Sequence, residues 1–176
     1  MRSFAPKAIC FWPIAAASFL ADFATKRWAV ERLGPAGTPH PLLGNTLRFT
    51  LTYNDGGALG IETGPTGLFF LIVVSCALVL GLGIFYGSLP KTATFRATAL
   101  GLLMGGALGN LFDRVKAGCG VVDFIDIGAG PVRFWTFNLA DSAIFVGAIL
   151  LAWWFWREPN PSSGPASCTE EPPGTG

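Results

Sequence analysis

The feature that most constrains this chain is an uncharged run of 27 residues, Gly64 to Pro90, with Phe69-Phe70-Leu71-Ile72-Val73-Val74 at its heart. A helix of about 20 apolar residues crosses the ~30 Å hydrocarbon core of a bilayer. Three further segments are nearly as apolar, and 13% charged residues in a chain with mean hydropathy +0.51 could not cover them in water. The pattern predicts an integral membrane protein of 176 residues with four spans, at about 8–30, 66–88, 96–113 and 135–156.

The first span follows Arg2 and Lys7, an arrangement that imitates a secretory signal peptide. No turn residues follow it, so it reads as an uncleaved helix bent near Pro13. Asp22 and Lys26 lie four residues apart near its end, on one helix face, and read most simply as an interfacial ion pair. The third apolar run, Ala97 to Phe112, has only 16 residues, about 24 Å against the ~30 Å core. To span, it must draw Asn110 and Asp113 towards the bilayer. Its glycine ladder, Gly101, Gly105 and Gly109, lets a neighbouring helix approach closely. The fourth segment, Phe134 to Trp156, contains one charge, Asp141. A carboxylate inside a span costs about 2.5–3.5 kcal/mol on insertion scales and is a functional candidate for that reason.

The connectors carry a second pattern. From Thr46 to Asn54, apolar Leu47, Phe49, Leu51 and Tyr53 alternate with polar residues, the period of a strand. Asn54-Asp55-Gly56-Gly57 follows with strong turn chemistry. Gly120 to Ile127 is β-branched and apolar, a candidate partner strand, ahead of a turn at Gly128-Ala129-Gly130-Pro131. These pieces suggest a small sheet from about 44–62 with 120–134. Residues 159–176, with five prolines and no apolar periodicity, read as a disordered tail, leaving 1–158 as one four-helix domain.

Four spans impose a parity. The end of span one, both strand-bearing connectors, the end of span three and the start of span four share one side of the membrane. Asp22, Lys26, Asn54, Asn110, Asp113, Arg114, Asp123, Asn138 and Asp141 therefore gather there. Asn110 and Asp113 share a helix face, as do Asn138 and Asp141, each pair at spacing i, i+3. The four cysteines (Cys10, Cys76, Cys119, Cys168) lack metal-ligand spacing. The single histidine, His40, lies between two prolines and reads as a loop residue. Serine–histidine, cysteine–histidine and metal chemistry thus have no candidates, and the net charge of +1 gives no case for nucleic acid. Two carboxylates held close share a proton, so that one accepts a proton from water while the other donates. An aspartate dyad is the hydrolytic chemistry that remains.

Five stretches now combine: Asp22-Phe-Ala-Thr-Lys26, Asn54-Asp-Gly56-Gly-Ala-Leu-Gly60, Gly105-Gly-Ala-Leu-Gly-Asn110-Leu-Phe-Asp113-Arg114, Gly120-Val-Val-Asp123-Phe124 and Phe137-Asn138-Leu-Ala140-Asp141-Ser142. In this order and spacing the chain resembles the lipoprotein signal peptidases, or type II signal peptidases, of bacterial inner membranes. The resemblance covers residues 8–157. It implies a membrane all-α fold of four transmembrane helices with a small extracytoplasmic β-cradle. It implies an aspartic endopeptidase with Asp123 and Asp141 catalytic and with Asn54, Gly56, Asn110, Asp113, Arg114, Asn138, Asp22 and Lys26 lining or supporting the site. No metal or cofactor is implied. The implied substrates are prolipoproteins, cut before a diacylglyceryl-modified cysteine by a monomer in contact with membrane lipids. Both termini would be cytoplasmic and the site near the outer leaflet. The Lys/Arg distribution, five on the implied cytoplasmic side against seven outside, does not give that orientation by itself.

Two other readings compete. A proton or ion translocating subunit would place polar residues through the depth of several spans, and a purely structural subunit would rest on the glycine ladder. Neither accounts for Asn138 and Asp141 at one membrane face.

Overall fold

A computed structural model describes residues 5–54, 64–117 and 120–158 of the chain. Four of its helices are long and apolar enough to cross a membrane: α1 (Pro6–Arg32), α2 (Gly64–Ser88), α3 (Thr94–Ala117) and α4 (Leu139–Arg157). The Gly56 turn, the Cys119 and Cys168 positions and the 159–176 tail lie outside the described residues.

Helix α1 starts on Pro6, whose missing N–H costs nothing in a first turn, and continues through Pro13 to Arg32. Helix α3 is the inner member of the bundle and packs on all three others. Its glycines make this possible. A Cβ on Gly105 would stand 2.5 Å from the carbonyl oxygen of Ala15 on α1, and one on Gly106 would stand 2.5 Å from that of Ala140 on α4. The ladder thus serves packing within the bundle, where close backbone approach replaces the hydrophobic drive that lipid removes. Around it, Phe11, Ala15, Leu82, Leu100 and Met104 bury against one another. Large apolar side chains such as Phe69, Phe70, Ile84, Phe145 and Trp156 face outward, as a lipid-facing surface requires.

At the end where α1 and α3 finish and α4 begins sits a four-stranded antiparallel sheet, in order β1 (Pro39–Leu43), β2 (Leu47–Asn54), β3 (Val121–Ala129) and β4 (Val132–Arg133). β2 and β3 are the two alternating segments, paired from Leu47↔Ile127 to Asn54↔Val121. β1 was hidden in the Pro/Gly-rich connector. Pro39 and Pro41 lack ladder donors, which an edge strand tolerates. His40, expected in a loop, lies in this strand with a ring nitrogen 3.3 Å from the carbonyl oxygen of Leu33. β3 extends two residues into the expected turn, which closes instead at Gly130, where φ is +57°. Leu51 and Phe124 on the sheet bury against Ala29 and Leu33 of α1, and this apolar seam seats the sheet on the bundle.

Two helix ends differ from the expected bounds. α3 runs past residue 113 to Ala117, because Asp113 has a buried ionic partner and need not leave the helix to find water. α4 begins at Leu139, not near 135. The preceding residues are held extended by Phe137, which exchanges backbone hydrogen bonds with Ile125 at 2.8 and 3.0 Å.

Candidate active site

The start of α4 organises the site. Asn138 is the N-cap: its side-chain oxygen accepts the N–H of Asp141 at 2.9 Å, and its own backbone N–H donates to Asp141 Oδ2 at 3.1 Å. This reciprocal box satisfies two otherwise orphaned groups of the helix end. It also fixes Asp141 in the first turn. The Asn138 Nδ2 group then turns away from the helix and donates to Asp123 Oδ1 at 2.7 Å and to Asn110 Oδ1 at 3.1 Å. One fully buried amide therefore touches both aspartates, 18 residues apart in sequence.

Each carboxylate has a second amide. Asn110 Nδ2 on α3 donates to Asp141 Oδ1 at 2.8 Å. Asn54 Nδ2 at the end of β2 donates to Asp123 Oδ2 at 3.2 Å. The β2 bulge between Phe49 and Thr52 shifts the register so that Thr52 stands opposite Asp123, and it carries Asn54 to this position. Asp123 is 3% exposed. Burial, and then the negative charge of Asp141, push its carboxyl up to about 7, against the opposing hydrogen bonds from Asn54 and Asn138 and the charge of Lys26.

Behind the amides lies an ionic cluster. Lys26 Nζ stands 2.8 Å from Asp22 Oδ2, 2.8 Å from Asp113 Oδ2 and 2.9 Å from Asn110 Oδ1. Asp22 and Lys26 are 1% and 4% exposed, which corrects their reading as an interfacial pair. The i, i+4 spacing was right, but the glycines of α3 bring that helix over them. Asp113 Oδ2 also accepts the N–H of Val122, at 3.4 Å, tying α3 to the strand that carries Asp123. Arg114 reaches Ser75 on α2 at 3.4 Å, and its Nε is buried without a hydrogen-bond partner among the described residues.

The structure thus gathers Asp22, Lys26, Asn54, Asn110, Asp113, Arg114, Asp123, Asn138 and Asp141 at one end of the bundle; Gly56 lies outside the described residues. Two participants had escaped the sequence reading, Asp126 and Arg133. With Arg48 they form a cluster beside Asp123 on the sheet, its carboxylate buried and its arginines half-buried. Their only signal was a third carboxylate, three residues after Asp123, in an otherwise apolar strand. Among the described residues no group of three or more His, Cys, Asp or Glu side chains is placed to hold a metal ion.

A four-helix membrane protein with two amide-bridged carboxylates at one end of its bundle, one of them poised to hold a proton near neutrality, is equipped as an aspartic-type membrane hydrolase. The sequence profile of signal peptidase II matches residues 14–157. The lipoprotein signal peptidase of Geobacillus thermodenitrificans is 39% identical over 145 residues, 82% of this chain and 88% of that one. That of Mycobacterium avium is 38% identical over 143 residues, covering 78% and 74%. Two solved structures described as bacterial membrane enzyme structures, determined by the in meso method at 2.3 and 1.9 Å resolution, superpose with TM-scores of 0.73 and 0.72. They are 30% and 31% identical, covering 84% and 82% of this chain and 90% and 91% of theirs. The chain belongs to the signal peptidase II family, and it is a multi-pass membrane protease.

Proposed function

We propose that Asp123 and Asp141 form the catalytic dyad of a peptidase that removes signal peptides from prolipoproteins. The observation that carries this is Asn138, whose single side chain bonds to Asp123 while its cap holds Asp141. With Asp123 raised to about 7, the pair shares one proton. Asp141, whose two oxygens accept hydrogen bonds from Asn110 and from the Asn138 backbone, takes a proton from the attacking water. The water oxygen adds to the scissile carbonyl carbon, and the proton of Asp123 goes to the carbonyl oxygen. Collapse of the tetrahedral species breaks the C–N bond, and a proton returned by the dyad leaves with the amine. Asn54, Asn110 and Asn138 fix the two carboxylates, Arg114 lines the site, and Asp22, Lys26 and Asp113 form its foundation.

The substrate side follows from the bundle. Phe69, Phe70 and Val73, on the half of α2 nearest the dyad, face outward. A signal-peptide helix arriving through the lipid would lie along this half of α2, with its cleavage site at the dyad. We place cleavage before a diacylglyceryl-modified cysteine, in a monomer of the bacterial inner membrane with cytoplasmic termini and the dyad near the outer leaflet. Nothing favours ion translocation, because α2 runs its whole length without an Asp, Glu, Lys, Arg or His side chain.

The test is a gel-shift assay on purified Asp141→Asn enzyme with a precursor supplied before and after diacylglyceryl transfer. Cleavage of the lipidated precursor should fall by at least about 100-fold in a protein that still inserts and melts normally. Wild-type enzyme should leave the unlipidated precursor uncut. Full cleavage by the variant would sink the dyad assignment.

A further inference from the structure

The sheet contains a carboxylate that neither the capping network nor the dyad uses. Asp126 on β3 is 4% exposed and receives five side-chain hydrogen bonds. Arg48, directly opposite on β2, donates from Nε and an Nη to Oδ2 at 2.9 and 2.6 Å, and Thr50 adds a third at 3.0 Å. Arg133 on β4 donates from Nε and an Nη to Oδ1 at 2.8 and 2.6 Å. Each guanidinium thus converges two N–H donors on its own carboxylate oxygen, and such charge-assisted hydrogen bonds are shorter and stronger than neutral ones. Burial opposes ionisation here, but the hydrogen bonds from Arg133, Arg48 and Thr50 win and hold Asp126 below the usual carboxylate range.

Its position gives this clamp a role. The chain from Asp123 to Asp141 runs along β3, turns at Gly130, returns through β4 and the extended link, and enters α4 at the Asn138 cap. β4 has only two residues, paired Gly128↔Arg133 and Ala129↔Val132, and so short a hairpin is marginal by itself. Its tip is not held by burial, since Ile127 and Val132 are exposed. Asp126 closes the hairpin by seizing Arg133. The Arg133 side chain also bonds to the carbonyl oxygens of Asp126 and of Asn45, so the β1–β2 turn is drawn into the same clamp. Gly128 leaves the room: a Cβ there would stand 2.5 Å from the Val132 carbonyl oxygen and 2.7 and 2.8 Å from Arg133 Cδ and Nε.

We propose that Asp126 is a positioning residue for the dyad. By clamping Arg48 and Arg133 it fixes the β3–β4 hairpin, and the hairpin fixes the spacing between Asp123 on its first limb and Asp141 beyond its second. A sub-ångström change in that spacing alters both the approach of water and the sharing of the proton, while leaving the membrane-facing binding surface as it was.

This inference rests on the Asp123–Asp141 dyad, and the experiment separates the two. Full-length Asp126→Asn and Gly128→Ala enzymes are assayed on lipidated precursor across pH beside Asp141→Asn, which tests the dyad alone. Gly128→Ala forces the β4 limb away at the Val132 carbonyl and the Arg133 side chain while leaving the Asp126 carboxylate in place. Both clamp variants should lower kcat by about 10- to 100-fold and leave KM within about twofold. Both should also move the upper limb of the pH profile by about 0.5 unit or more, because Asp123 faces Asp141 on α4, Lys26 on α1, and Asp113 and Arg114 on α3. Arg133→Lys, which keeps the charge and loses the fork, should lie between them and wild type. Wild-type kcat and pH profile in the clamp variants would overturn the proposal. So would a loss matching only the fraction of folded protein with the profile unmoved, or a rise in KM at constant kcat. Asp141→Asn retaining activity would instead reject the dyad.

Discussion

Asp22 on the first helix accepts the backbone N–H of Ala140 on the last, at 2.8 Å. Ala140 follows the Asn138 cap by two residues, so its N–H is one of the donors that a helix start leaves unpaired. The carboxylate arrives from another helix to take it, and the same carboxylate holds Lys26 at 2.8 Å. The ionic cluster beneath the site and the helix end that presents Asp141 are thus a single structure, which links the following expectations.

Lys26 is the sole cation within salt-bridge distance of Asp22 and Asp113 among the described residues. Replacing it by methionine leaves two buried carboxylates without a counter-charge, a loss of about 3–5 kcal/mol. Thermal unfolding of purified Lys26→Met should show it. The double variant Lys26→Met/Asp22→Asn should recover part of the loss, because one of the stranded charges is gone. Equal melting of wild type and Lys26→Met would mean that the cluster contributes no net stability.

The raised carboxyl of Asp123 gives the pH dependence a definite sign. Its ordinary value is about 3.9 and its value in the folded protein is about 7. Between these limits the native state holds a proton that the unfolded chain has released. Stability contributed by this group is therefore complete below about pH 4 and declines as pH rises through about 7. The catalytic rate should fall over the same upper range as the shared proton is lost. A pH–rate profile whose upper limb lies above about 9 would remove Asp123 as the proton donor.

The glycines of α3 and α2 should behave oppositely. A methyl on Gly106 meets the carbonyl oxygen of Ala140 at 2.5 Å, a backbone atom next to Asp141. Gly106→Ala should cost about 1–3 kcal/mol through overpacking and should depress cleavage more than its effect on melting alone would require. Gly81 and Gly83 on α2 have nothing within 4 Å. Alanine there should be neutral or stabilising by up to about 1 kcal/mol, from helix propensity. Melting curves and cleavage rates of the three variants decide between packing and propensity at each site.

Several features of this protein were legible in its sequence because they depend on local pattern. Apolar length gave four spans, period-two alternation gave β2 and much of β3, and span parity gathered the aspartates and asparagines on one side. What escaped depended on pairing between distant residues. β1 is recognisable as a strand only because β2 lies beside it. The start of α4 is set by Phe137 pairing with Ile125 and by a cap whose amide also serves Asp123.

By itself, then, the sequence determined which carboxylates and amides would sit at one membrane face, since hydrophobic length and span count require only the order of residues. Tertiary structure alone decided that Asp22 and Lys26 are buried and not interfacial, that Asn138 joins Asp123 to Asp141, and that Asp126 clamps Arg48 and Arg133. Burial and hydrogen-bond geometry are properties of surfaces brought together, here by the glycines of α3 and the register of β3, and no local stretch of chain carries them.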